Sequence, residues 1–325
     1  MTANIIHLGE KPDAALAQAC DFLSDGWPVA IPTETVYGLA ADATNPLAVT
    51  RIYEAKSRPR FNPLICHMAD LAMAEDYAEF DPLSRQLAER FWPGPLTLIL
   101  PLKTGATIHP LATAGLDTVG IRVPEGFASS LIRAFGRPLA APSANTSGKV
   151  SPTSADHVAG DLGEKLKLII DGDAAPVGVE STIVRVEGDT VRLLRPGGVS
   201  TEEIEAAINR KIVRAEGPAA TIEAPGMLTS HYAPGAAVRL NAEMLEPDEV
   251  LIRFGTGLVS GEDRAAAVFN LSATGDLAEA ASNLFDYLKK ADATGAQRIA
   301  VMPIPHHGLG EAINDRLARA AAPRE

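Results

Sequence analysis

Between residues 212 and 235 the hydrophobic periodicity that runs through the rest of the chain gives out. The stretch EGPAATIEAPGMLTSHYAPGA is rich in Pro, Gly and Ala, and such a stretch reads as a linker. It constrains the fold strongly, because the chain on each side must bury its own core. Before it, short apolar runs such as PVAIPT, LTLIL, TVGIRVP, PLAAPS and KLIID alternate irregularly with helical patterns at 13–24, 46–56, 82–91 and 126–135. Asp13 is the expected cap of the first helix, and a further strand is expected at 63–68. STIVRVEG and TVRLLRPG, joined at Gly188-Asp189, read as a hairpin. Irregular alternation of this kind predicts a mixed α/β sheet. After the linker the order is strand, strand, helix, strand, helix, which predicts a smaller three-layer α/β domain. The expected organisation is 1–211, a linker at 212–235, and 236–325. A length of 325 residues suits two domains of about 100–200 residues each.

The formal charge of −12 argues against a broad nucleic-acid surface, since phosphate contacts need a basic face. A local basic pocket for a small anion stays open. Cys20 and Cys66 are far apart and form no CxxC pattern, so neither structural zinc nor a disulfide framework is expected. Glu10, Lys11 and Asp13 stand where a signal peptide would be apolar, and no run is long enough to span a membrane. A cytoplasmic protein is expected.

Against that acidic background, AKSRPRFNP concentrates cations at alternate positions, Lys56, Arg58 and Arg60. The plain alternative is a solvated basic loop. Residues before proline are pushed to extended geometry, which applies to Arg58 and Asn62, and an extended chain would project the three cations to one side. A same-side row of Lys and Arg suits a polyphosphate. Two hydroxyl-rich segments follow strands. Thr33, Glu34, Thr35 and Tyr37 lie in IPTETVYGLAADA, and Ser143, Asn145, Ser147 and Ser151 lie in APSANTSGKVSPT. Strand ends of open α/β sheets are where ligands bind, so these predict a polar small-molecule pocket. SANTSGKVS fails the P-loop pattern at Ser143 and Val150, and FGTGLVSG lacks the third glycine of a dinucleotide loop. GxSxG and HExxH are absent, and His306-His307 reads as a loop pair ahead of a helix.

PTETVYGLAADA, IYEAKSRPRFNPL, FWPGPLT, GIRVP, APSANTSGKVSPT, GVESTIV and LLRPG occur in that order. Together they resemble the threonylcarbamoyl-adenylate synthase family with its YrdC-like catalytic domain. PGMLTSHYAP and GLGEAINDRLARAA resemble the linker and the Rossmann-like C-terminal domain of the family's longer form. AKSRPRFNP and GVEST depart slightly from the family's commoner wording. The resemblance implies a YrdC-like open twisted mixed sheet. It implies synthesis of threonylcarbamoyl-AMP and pyrophosphate from L-threonine, bicarbonate or CO2, and ATP with Mg²⁺. The product would feed partner tRNA threonylcarbamoyltransferases. Carried over by position, Thr33, His67, Arg122 and Ser181 would hold threonine, with Tyr37 packed nearby. Lys56, Arg58, Asn62, Thr118, Ser143, Asn145, Ser151 and Arg195 would hold the nucleotide, Lys56 and Arg58 acting directly on the phosphates. The role of Arg60 is left open. His231 and Tyr232 would belong to a linker that covers the pocket. Two other readings stand beside this one. One is a non-catalytic RNA-binding YrdC-like protein. The other is a carbamoyltransferase, whose usual zinc-finger cysteines and acylphosphatase-like segment have no counterpart here.

Overall fold

The computed structural model describes residues 2–214, 223–226 and 231–323. Its strands are β1 (Asn4–His7), β2 (Val29–Ile31), β3 (Gly38–Asp42), β4 (Ile65–His67), β5 (Leu96–Pro101), β6 (Thr118–Arg122), β7 (Leu139–Ala140), β8 (Leu168–Asp171), β9 (Thr182–Glu187), β10 (Thr190–Arg195), β11 (Ile212–Arg214), β12 (Ala237–Arg239), β13 (Val250–Arg253), β14 (Ala267–Asn270) and β15 (Arg298–Val301). Its helices are α1 (Pro12–Ser24), α2 (Pro46–Lys56), α3 (Leu71–Tyr77), α4 (Pro82–Phe91), α5 (Pro110–Thr113), α6 (Phe127–Phe135), α7 (Ala155–Leu162), α8 (Thr201–Ile208), α9 (Leu277–Ala293) and α10 (Gly310–Ala321). The first eleven strands make one mixed sheet, ordered β1-β8-β2-β3-β7-β4-β6-β5-β9-β10-β11, and the last four a parallel sheet, ordered β12-β15-β13-β14.

Local chemistry sets the boundaries that matter for the pocket. Asn45 accepts from the amides of Leu47 and Ala48 and so starts α2, with Pro46 in its first turn. The helix stops at Lys56 because Ser57 turns left-handed, with φ 51°. The basic row is therefore not one extended stretch: Lys56 is the last helical residue, and the chain reverses before Arg58. Asp13 is not the cap of α1 either; Pro12 opens that helix and Asp13 sits in its first turn. The aperiodic stretch does not begin at 212, since Ile212–Arg214 is β11 and pairs parallel with β10.

Period-two alternation divides the large sheet into two faces. One face buries Leu64, Cys66, Leu98, Val119, Ile121, Val184 and Leu193 in the main core, together with Val49, Ile52, Leu87 and Ile204 from α2, α4 and α8. On the other face, α1 and α6 bring Ala15, Ala19, Leu131 and Ile132 against Ile6, Val29, Ile31, Ala40, Leu168 and Ile170. These strands, β1, β8, β2 and β3, form only half of that face. Among the described residues, the half made by β4, β6, β5, β9 and β10 receives no helix from its own domain.

The small sheet was expected to be three-layered, but α9 and α10 lie together on one face. Val250, Ile252, Ile299 and Val301 pack against Leu284, Phe285, Ile313 and Leu317. Leu251 and Ala300, one residue out of phase, face a second cluster with Ala242, Leu245 and Val259 from connecting segments. The reason is that α9 and α10 are needed elsewhere: Val36, Val150, Val179 and Tyr232 join the same cluster. Gly178, at φ +75°, lets the two parts meet, because a Cβ there would stand 2.4 Å from the Ala281 carbonyl oxygen of α9.

Candidate active site

The helix-free half of the sheet face is the floor of a pocket. Ladder register sets its pattern: Ile65 lies beside Gly120 and His67 beside Arg122, Ile99 beside Gly120, and Thr97 beside Ile183. Gly120 keeps the floor open, since a Cβ would meet Ile99 at 3.3 Å. The ligand was expected at strand ends, yet the pocket lies across a face. The hydroxyl-rich loops border it through Thr33, Thr35 and Val36 after β2 and through Ala141, Pro142 and Ser143 after β7.

At one end stand His67, Arg122, Thr33 and Ser181, all lining the pocket. Arg122 donates from Nη1 to Thr35 Oγ1 at 2.8 Å and from Nε to the Gly94 carbonyl, and it pairs with Glu34 at 2.7 Å. The Thr33 hydroxyl donates to the Val36 carbonyl at 2.7 Å. Ser181 shares a hydrogen bond with Thr97 at 2.7 Å. Burial, and after it the Arg122 charge, pushes the His67 imidazole down to about 3, so the ring is neutral.

Arg58 also lines the pocket; Nη2 donates to the Pro63 carbonyl at 2.9 Å and Nε to that of Asn62 at 3.3 Å. Burial lowers its guanidinium to about 10, which still leaves it charged. Thr118 is not a lining residue. It stands two positions before Gly120 on the same strand face, about 13 Å along β6 from Arg122. Lys56 is not a lining residue either. Its Nζ donates at 2.5 Å to the carbonyls of Ser143 and Asn145, directly behind the wall. Burial, then Arg58, lowers its pKa. Arg60 is exposed on the outside.

Asn62 and Asn145 are buried beside these groups, and Ser151 donates to Glu180 Oε1 at 2.6 Å. Arg195 lines the pocket and donates to the Ser181 carbonyl from Nε and Nη2, and to its hydroxyl from Nη2 at 3.2 Å. Arg195 and Ser181, which the family resemblance gives to the nucleotide and to threonine respectively, are thus hydrogen-bonded to each other. Tyr37 is fully buried; its hydroxyl donates to the Asp173 carbonyl at 2.7 Å and anchors the end of β8.

The roof comes from the Pro- and Gly-rich stretch. Glu223 pairs with Arg185 and Arg192 on the sheet face, and Ala224 packs with Ile65, Ile99, Ile183 and Leu194. Pro225, Gly226, His231 and Tyr232 line the pocket. Gly226 has φ +84°, and a Cβ there would meet Arg195 at 2.9 Å. Tyr232 stacks on Phe285 of α9 at 5.5 Å. The space between roof and floor is about 50 Å³, room for a few waters.

A Sua5–YciO–YrdC family model, described as telomere recombination, matches residues 21–197. A second, described as threonylcarbamoyl-AMP synthase, C-terminal domain, matches 199–322. The Bacillus subtilis threonylcarbamoyl-AMP synthase is 43% identical over 96% of this chain and 94% of its own length. The chain belongs to the threonylcarbamoyl-AMP synthase family. A solved structure described as Pyrococcus abyssi Sua5 complexed with L-threonine shares its fold with a TM-score of 0.87 at 39% identity, covering 98% of each chain. A shorter relative, the Vibrio vulnificus threonylcarbamoyl-AMP synthase, is 33% identical; the match covers 98% of its length but 56% of this chain.

For a threonylcarbamoyl-AMP synthase family member, sequence reasoning missed one pocket carboxylate and one cation. Glu180 stands inside a motif that reads through its hydroxyl neighbours. Arg316, on α10, pairs with Glu180 at 2.7 Å. A signal for it exists: Ile313, Arg316, Leu317 and Ala320 follow i, i+3, i+4, i+7, which puts an arginine on the apolar stripe of an amphipathic helix.

Proposed function

We propose that the protein is an L-threonylcarbamoyladenylate synthase, a nucleotidyltransferase that uses L-threonine, CO2 or bicarbonate, and ATP. What carries the reading is a set of buried polar atoms with no hydrogen-bond partner among the described residues: His67 Nδ1 and His231 Nδ1 on the pocket lining, and both side-chain amide atoms of Asn62 and Asn145 Oδ1 beside Arg58 and Lys56. Each such atom costs about 1–3 kcal/mol, and a polar ligand supplies the missing partners.

The threonine amine adds to CO2 and gives up a proton, forming a carbamate. A carbamate oxygen attacks the α-phosphorus of ATP; the new O–P bond forms as the bond to the β-phosphate oxygen breaks, and pyrophosphate leaves with that electron pair. Arg122 takes the threonine carboxylate, exchanging its pairing with Glu34. Thr33, neutral His67 and Ser181 orient the amino acid. Arg58 and Arg195 face the phosphates, and Lys56 supports them through the Ser143–Asn145 loop. Asn62, Ser143, Asn145 and Ser151 complete the nucleotide side, with Thr118 at its far end. No protein nucleophile is needed, since proximity and charge stabilisation suffice. Mg²⁺ fits as a passenger of the triphosphate, because Glu34 and Glu180 are already ion-paired with Arg122 and Arg316. When bound, it neutralises polyphosphate charge.

Pro225, Gly226, His231 and Tyr232 stand over the floor, and on this reading they lift to admit substrates and reclose over the water-sensitive product. The product would pass to tRNA threonylcarbamoyltransferase proteins in the cytoplasm. No helix among the described residues is long and apolar enough to cross a membrane. The test is pyrophosphate release from ATP with threonine and bicarbonate, and with each omitted in turn. Release that needs both supports the reading. No release, combined with a salt-dependent tRNA gel shift, would replace it with the RNA-binding alternative.

A further inference from the structure

Among the described residues Arg316 is the largest fully buried side chain, at 0% exposure, and it sits on the second domain. A guanidinium out of water is costly unless every donor is matched. Its partners are mostly foreign to its own domain. Nε donates to Glu180 Oε2 at 2.7 Å, and Nη2 donates to the Pro196 carbonyl at 3.0 Å. Nη1 donates to its neighbour Asp315 at 2.6 Å. The guanidinium carbon lies 5.0 Å from the centre of the Tyr232 ring. One side chain thus touches three segments that meet at the pocket: Glu180 with Ser181, Pro196 next to Arg195, and Tyr232 of the roof.

Charge balance gives this arrangement a purpose. Glu180 lines a pocket whose other walls carry Arg58 and Arg195. Burial would raise its carboxyl, but Arg316 first, then Arg195 and the Ser151 hydroxyl, overcome that and hold it at about 2. With Arg316 in place, Glu180 is neutralised from behind and Ser151 is held against its other oxygen. Without it, Glu180 is an uncompensated anion whose nearest cations are those that face the phosphates, and Tyr232 loses the charge beneath its ring.

We propose that Arg316 is a positioning residue for the reaction: a cation supplied by the C-terminal domain that seats Glu180, the Arg195–Pro196 turn and Tyr232 in their substrate-receiving arrangement. This rests on the synthase reading above. The test is steady-state pyrophosphate release by the full chain for wild type, Arg316→Met, Arg316→Lys, Glu180→Gln and the Arg316→Met/Glu180→Gln pair, with thermal melting of each. Arg316→Met should lower kcat/KM for threonine and for ATP by about tenfold or more. Arg316→Lys, which keeps the charge but loses the fork, should recover part of that. The double variant should be no worse than about threefold below Arg316→Met, since removing the Glu180 charge removes what Arg316 balances. Fully multiplicative losses would overturn the proposal. So would wild-type kinetic constants in a folded Arg316→Met that merely melts earlier. If Arg316→Met does not fold, the Lys variant is read alone: a threefold or larger rise in KM supports the proposal, and unchanged constants overturn it. A wild type that releases no pyrophosphate sinks the synthase reading and this one with it.

Discussion

The two halves of one sheet face make an instructive contrast. Over β1, β8, β2 and β3 the face is apolar and sealed by α1 and α6, two helices of the same domain. Over β4, β6, β5, β9 and β10 the same alternation presents His67, Arg122 and Thr97, with Ser181 one residue before β9, and the cover comes from residues 223–226, 231–232 and the helices behind them. Both halves obey the same pleat. What differs is what closes them: helices of the same domain make a permanent core, whereas an irregular segment backed by the second domain makes the cover proposed above to lift. A domain with an apolar second half would have had no reason to leave it uncovered by its own helices.

The sharpest way to break this contrast is to swap the consequences of substitution. Arg58→Ala on the pocket half should cut kcat/KM by about 100- to 1000-fold with a melting temperature near wild type, measured by pyrophosphate release and calorimetry. Leu131→Ala, under the sealed half, should do the reverse. It should cost about 2–5 kcal/mol of stability in urea unfolding while the folded fraction keeps its KM values. A large KM change in Leu131→Ala would show that the two halves are not independent.

Acid sharpens the contrast further. The pocket half holds two neutral histidines, His67 and His231, each lowered to about 3, by burial above all. Their folded values lie below the ordinary 6.5, so their contribution is complete above pH 6.5 and is lost as pH falls toward 3. Each should cost roughly 2 kcal/mol of stability at pH 5 relative to pH 7. Urea midpoints at the two pH values check this, and His67→Asn should remove about half of the change. The smallest effect is expected at Arg60→Ala, less than about twofold on kcat/KM, because that cation faces solvent outside the pocket. A tenfold loss there would return Arg60 to the phosphate row.

Much of this was legible residue by residue. The α2 and α4 spans and the β9–β10 hairpin follow from caps, periodicity and Gly/Pro placement. Family motifs brought His67, Arg122, Ser181 and Arg58 to one cavity. The unread part has physical causes. Ser57 adopts φ 51° although serine carries no strong signal for it, so the basic row looked extended. Strand face cannot be told from strand end when β4 is three residues long. Glu180 and Arg316 are 136 residues apart, and no local pattern links them.

That separation has a consequence for the time at which the molecule becomes complete. Arg58 and Arg316 are 258 residues apart (316 − 58). At ~5–20 residues per second of synthesis, roughly 13 to 52 s pass between the making of the pocket's first arginine and of the cation that seats its far wall. Once β10 and Arg195 are made, 121 residues (316 − 195) still separate them from that cation, and over that span the nascent sheet carries an uncovered, positively charged hollow. The ribosome thus delivers the floor of the pocket well before its keystone.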